Sequence, residues 1–163
     1  MATPTNLPSS FTTGQVLTAA NMNDLRGAFR ILQVVSATYA TQLSSTSATF
    51  ADTGLTANIT CQSTSSKVLV VYTQNVYTTA LNTGVALRIV RGSTTLITDE
   101  DYGYSAGGAT TENCMNLYMD SPNSVSSLTY KTQFARNQGT GTVYVNTLGT
   151  NNTARLLLFE ISA

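Results

Sequence analysis

Apolar and polar residues alternate with a period of two along most of this chain, and that pattern predicts strands. Leu55, Ala57, Ile59 and Cys61 alternate with polar neighbours. Lys67 to Tyr77 is a long β-rich run centred on Val68, Leu69, Val70 and Val71. Val85, Leu87 and Ile89 alternate with Ala86, Arg88 and Val90, and Met115, Leu117 and Met119 alternate with Asn116 and Tyr118. Leu128, Tyr130, Thr132 and Phe134 repeat the pattern, and Val143 and Val145 follow a Gly-Thr-Gly turn. The run from Arg155 to Ile161 is continuously apolar at Leu156, Leu157, Leu158 and Phe159, which predicts a strand buried on both faces. Turn signals separate the runs at Asp52–Gly54, Ser63–Ser66, Asn82–Gly84, Arg91–Ser93, Gly103–Gly108, Asp120–Asn123 and Gly149–Asn152. About eight or nine strands result. A mainly β fold follows, an antiparallel β-sandwich of the jelly-roll type. No repeat of fixed period is present, which argues against a solenoid or propeller.

Ahead of the strands the pattern differs. Residues 1 to 17 read as an extended arm, because Pro4 and Pro8 push the residues before them out of the α region. Phe11, Val16 and Leu17 are apolar points on this polar strip, and so short an arm cannot bury them by itself. Thr18 to about Arg30 is predicted as one short α-helix, with Thr18 as N-cap and Ala19 and Ala20 as good helix formers. Met22, Leu25, Phe29 and Leu32 form a single apolar stripe on it. Gly27 weakens that helix by up to ~1 kcal/mol. The stripe packs either on its own domain or against two further copies around an axis.

Composition narrows the class. A chain of 163 residues holds one ordinary domain and a short appendage. Charged residues make up only 10% of it, against a usual share of about 25%. Eight basic residues balance eight acidic ones, with no basic run, so nucleic-acid binding is not expected. An uncharged surface of this kind favours self-association, which an oligomer would satisfy. No apolar stretch approaches the ~20 residues that span a bilayer, so no membrane insertion is expected. Met1 to Ser10 lacks the features of a signal peptide, and assembly in a cytoplasm-like compartment is expected. Cys61 and Cys114 lie in apolar runs and read as buried free thiols, a disulfide being the alternative.

Catalytic chemistry has little to build on. Histidine is absent, and with it the commonest general base and a usual zinc ligand. No Gly-x-Ser-x-Gly elbow and no phosphate-binding loop occur. No enzyme, metal or cofactor is expected. The one acidic cluster, Asp99, Glu100 and Asp101, lacks the alternating oxygen spacing of a calcium loop. It reads as part of a Gly-rich loop from Asp99 to Thr111 that also carries Tyr102 and Tyr104. Tyrosines among small residues give contact area at low entropy cost, so Asp99, Asp101, Tyr102 and Tyr104 are the candidate recognition loop. The alternative is a sandwich connection whose tyrosines pack back on the sheet.

Two stretches carry a resemblance. Leu7-Pro-Ser-Ser-Phe-Thr-Thr-Gly-Gln-Val-Leu-Thr-Ala-Ala-Asn-Met-Asn23 resembles the N-terminal segment of many phage virion proteins. Ala48-Thr-Phe-Ala-Asp-Thr-Gly-Leu55, with Ser65-Ser-Lys-Val-Leu-Val70, Leu87-Arg-Ile-Val-Arg-Gly92 and Leu158-Phe-Glu-Ile161, is similar to the small jelly-roll heads of phage fibre and head-decoration proteins. The resemblance implies a homotrimer around a threefold axis, with the N-terminal arm docked on a larger virion part, and no enzyme. It implies an anchor over residues 1–35, using Phe11, Val16, Leu17, Met22, Leu25 and Phe29, and a jelly-roll head over residues 36–163. The expected role is a fibre- or spike-type surface protein, assembled in the host cytoplasm and contacting a host glycan or surface protein. Long fibres have a shaft and this sequence has none, which raises a capsid decoration protein as the rival. A sugar-cleaving spike is a third and weaker reading.

Overall fold

Alternation of small apolar and β-branched residues with polar ones lets each strand turn one face to a core. In the computed structural model, residues 13, 14, 16, 18, 19, 31–146 and 152–162 are described. The helix expected from Thr18 to Arg30 therefore lies almost wholly outside the described residues. Among the described residues ten strands form: β1 (Ile31–Tyr39), β2 (Leu43–Ser45), β3 (Ala51–Thr60), β4 (Lys67–Thr78), β5 (Gly84–Arg91), β6 (Thr94–Tyr102), β7 (Thr110–Asp120), β8 (Ser127–Gln138), β9 (Val143–Val145) and β10 (Ala154–Ile161).

The pairing is that of a jelly roll. β1 pairs with β10, β3 with β8, β4 with β7 and β5 with β6, all antiparallel, so each pair nests inside the one before. The chain is in effect one long hairpin rolled into two sheets. Sheet A runs β1-β10-β4 and continues to β7 on the far side of β4. The three-residue strands β9 and β2 extend it beyond β10, because β9 takes over the edge of β4 at Val76–Thr78. Sheet B runs β3-β8-β5-β6.

Between the sheets lie Leu55, Ile59, Val68, Val70, Tyr72, Leu87, Ile89, Tyr130, Phe134, Leu156 and Leu158, all buried. Each such aliphatic or aromatic side chain contributes about 1.5–3 kcal/mol by leaving water. A polar chain also crosses this core. Thr53 and Thr132 share a hydroxyl–hydroxyl bond of 2.6 Å, and Thr132 donates to Gln74 at 3.2 Å. Gln74 donates to Asn146 at 3.0 Å, and Asn146 donates in turn to the Thr41 carbonyl at 3.0 Å. These partners keep the buried amides and hydroxyls satisfied, as their burial requires. Cys61 and Cys114 are buried and free, as the sequence predicted.

Several details depart from the sequence reading. Leu32, assigned to the helical stripe, belongs to β1. Asp52–Gly54 is not a turn but an irregularity within β3, where the register to β8 shifts between Asp52 and Thr56. β10 is buried on one face only: Leu156, Leu158 and Glu160 point into the core, while Leu157, Phe159 and Ile161 are half-exposed. In β7 the apolar phase is the outward one. Cys114 and Asp120 are its buried residues, and Met115, Leu117 and Met119 face outward.

Register gives the roll two distinct ends. Ile31, Ile161, Lys67 and the Asp120 end of β7 lie together at one end. Thr78, Thr110, Tyr102 and Val85 lie at the other. The twelve residues of β4 run between these ends, a span of ~40 Å.

Candidate functional site

The end opposite Ile31 carries the residues singled out as a recognition loop. Asp99, Glu100 and Asp101 are not in a loop, however, but on β6. Backbone pairing with β5 decides this, because Leu87 faces Asp99 and Val85 faces Tyr102. The odd residue in that count forms a bulge, and Asp101 takes φ 66° there. A bulge re-aims side chains, and here it separates the acids. Asp99 accepts from the Asn116 amide of the opposite sheet. Asp101 Oδ1 accepts from Asn137 Nδ2 and Gln138 Nε2, both at 2.7 Å. Glu100 is exposed. The three carboxylates therefore do not converge on a common space.

The two tyrosines part in the same way. Tyr102 is half-buried against the core, and desolvation raises its phenol pKa. Tyr104 stands exposed at the rim, its hydroxyl donating to Asn82 Oδ1 at 3.3 Å. The connection between them is held from below. Thr78 donates to the Gly103 carbonyl at 3.0 Å, the Gly103 amide donates to Glu112 at 2.6 Å, and the Asn82 amide donates to the Ser105 carbonyl at 2.7 Å. Of the four candidates, the structure brings Asp101 and Tyr104 to one rim and turns Asp99 and Tyr102 inward.

A polar groove of about 290 Å³ lies on the same half of sheet A. Thr73, Asn75, Asn113, Thr153 and Arg155 line it, so it offers amides, hydroxyls and one guanidinium. The remaining buried acids are structural. Glu160 is fully buried and accepts from Gln33 Nε2 at 2.6 Å and from the Gln62 amide at 2.7 Å. Asp120 Oδ2 accepts from Arg91 at 2.5 Å and from the Tyr130 hydroxyl at 2.6 Å. Burial pushes the Cys114 thiol well up, so it rests as an unreactive thiol. Among the described residues, no three His, Cys, Asp or Glu side chains are grouped to hold a metal ion. No helix among the described residues is long and apolar enough to cross a membrane.

The largest feature that sequence reasoning missed is the outer face of sheet A. Register places Val34, Phe159, Leu69 and Met119 side by side in one row across β1, β10, β4 and β7. The next row is Ser36, Leu157, Val71 and Leu117. Met115, Leu117 and Met119 are 66%, 57% and 44% exposed. The alternation of β7 was visible in the sequence, but its apolar phase invited an inward assignment. Only the pairing with β4 shows that Cys114 and Asp120 are the inward set. Of the expected anchor residues, Val16 is exposed, and Phe11, Leu17, Met22, Leu25 and Phe29 lie outside the described residues.

No family model matches this sequence, and no curated protein matches it. Solved structures that match in part include a chain of the infectious bursal disease virus Gt strain. That match has 16% identity and a TM-score of 0.42, and covers 82% of this chain and 39% of that one. The infectious bursal disease virus VP2 subviral particle matches at 17% identity and a TM-score of 0.37, over 80% of this chain and 38% of that one. A disulfide-linked pilus of Bacillus endospore appendages matches at 10% identity and a TM-score of 0.35, over 79% of this chain and 89% of that one. The chain thus spans about two fifths of the length of the viral chains it is similar to.

Proposed function

We propose that this protein is a non-catalytic virion structural protein of the fibre or spike type, a homotrimer held to the particle by its N-terminal residues. The observation that carries this reading is the polarity of the roll. Chain enters β1 at Ile31, and the Asp101–Tyr104 rim lies at the opposite end of β4, ~40 Å away. An anchor before Ile31 would leave that rim pointing away from the particle. The resemblance of residues 7–23 to phage virion N-terminal segments supports the anchor, with Phe11, Val16 and Leu17 as its apolar points. The divergence of Asp99, Glu100 and Asp101 speaks against a paired-carboxylate hydrolase, which needs two acids across one sugar.

Deleting residues 2–17 should leave a folded protein of unchanged oligomeric mass that no longer joins particles in an assembly assay. Incorporation of the truncated protein at the normal level would overturn the anchor. The second reading, a decoration protein that clamps capsid subunits, draws on the exposed apolar face of sheet A. Copies per particle separate the two: a fibre occurs in few, a decoration protein at many equivalent capsid positions.

A further inference from the structure

We infer that the outer face of sheet A is the surface on which copies of this chain meet, an inference that rests on the homo-oligomeric reading above. The two outer faces of the sandwich are unlike. Sheet B turns out a hydrogen-bonded charged layer. Lys131 binds Asp52 at 2.7 Å, Gln133 binds Asp52 at 2.6 Å, and Arg88 binds Gln133 at 2.7 Å while lying over the Phe50 ring. That is the ordinary solvated side of an antiparallel sheet. Sheet A instead turns out two adjacent rows whose one polar member is Ser36, ending in the exposed Leu117 and Met119 of β7; the flanking rows hold Thr38, Arg155, Thr73 and Met115 on one side and Ile31, Ile161 and Lys67 on the other.

The dimensions suit a protein partner. Four strands about 4.8 Å apart and roughly eight residues long give a flat face of ~500 Å². Corrugated side chains expose more than the flat projection, and the flanking rows with Lys67, Thr38, Thr73 and Arg155 form its rim. The sum approaches the ~800 Å² that each partner buries in a standard interface. The two apolar rows take up about half of the flat face, at its centre.

Charge selects the occupant. The two rows hold no charged residue, and the whole chain is neutral, eight basic residues against eight acidic. Within these rows a second copy meets no like charge, and a flat apolar face is complementary to itself. An anionic lipid or nucleic-acid surface would call for a cluster of basic residues, whereas this face has only Lys67 and Arg155, on opposite sides of the apolar rows. On β7 the feature continues to the sheet margin, since β4 is its one sheet partner among the described residues. Around a threefold axis each face would meet those of two neighbours.

The test is the absolute mass in solution of the full chain, by light scattering across a dilution series. Leu117→Lys with Met119→Lys is compared with Asn58→Lys on the exposed face of sheet B. The unaltered chain and Asn58→Lys should show a mass of three chains. The double variant should show one chain at concentrations ~100-fold or more above the unaltered protein's dissociation midpoint. A retained cooperative melt shows that the variant is folded. Should it not fold, Met115→Gln with Met119→Gln removes apolar surface without adding charge and should still raise the midpoint. A folded double variant that stays trimeric overturns this interface and leaves the oligomer reading standing. An unaltered chain that is monomeric throughout overturns both.

Discussion

Glu160 shows how a single side chain can hold the roll together. It sits fully buried in a strand whose other residues, Arg155 apart, are apolar. Desolvation works to raise its pKa, but the hydrogen bonds from Gln33 and the Gln62 amide outweigh it and hold the carboxyl below its ordinary value of 4.5. A depressed folded-state pKa stabilises the fold above the unfolded value, and that stability is lost as pH falls through the folded one. Acid melts should therefore show stability falling below about pH 4.5. Glu160→Gln should lower stability at neutral pH by about 1–3 kcal/mol, because it leaves buried donors poorly paired. Its acid limb should also be shallower. A denaturant titration at several pH values checks both, and an unchanged acid limb would mean that another carboxylate sets it. In the sequence this residue is only a glutamate inside an apolar run. Its partner Gln33 lies 127 residues away, beyond the reach of any local pattern.

At the level of elements, β3 carries a comparable dependence on one glycine. Gly54 takes φ 84° where β3 is irregular, and an added Cβ would fall 2.3 Å from Tyr39 Cζ. Gly54→Ala should cost about 1–3 kcal/mol in a thermal or denaturant melt, through the clash and the left-handed backbone together. Adding Tyr39→Ala should not restore the loss fully, because the backbone strain stays. The sequence marked this glycine as a turn. The sandwich was legible because the period of two is strong in β3, β5 and β8, but about eight or nine strands were expected where ten form, and β1, β2 and β6 were not among the runs read from the pattern. Loops were legible where Gly or Pro accompanied polar residues, as at Gly92 and Pro122. What local patterns could not show was which phase of a strand faces in. In β7 both phases carry large side chains, and partners on β4 choose between them. The acidic triplet misled for a related reason: it looks like loop sequence, yet pairing with β5 extends it.

Across the whole molecule the roll combines two asymmetries. One runs along the strands, from the end where the chain enters β1 to the rim of Asp101 and Tyr104. The other runs through the sandwich, from the charged face of sheet B to the apolar face of sheet A. Under the proposed function and interface, each side would have a different neighbour: a particle at one end, solvent or a host surface at the other, and sister copies against sheet A. The class of fold followed from the sequence, but these directions did not. They depend on register between strands that are far apart in the chain, such as β1 with β10.

The nesting of the strands has one further consequence. The outermost pair, β1 and β10, brings Ile31 opposite Ile161, so Cα atoms there stand about 4.5–5.5 Å apart. The roll is thus topologically close to a ring. Joining Ile161 to Ile31 through two or three glycines, and reopening the backbone between Gly107 and Gly108, should give a circular permutant with the same sheets and a native-like circular dichroism spectrum. New termini would then emerge beside Tyr104, at the opposite end of the roll from Ile31.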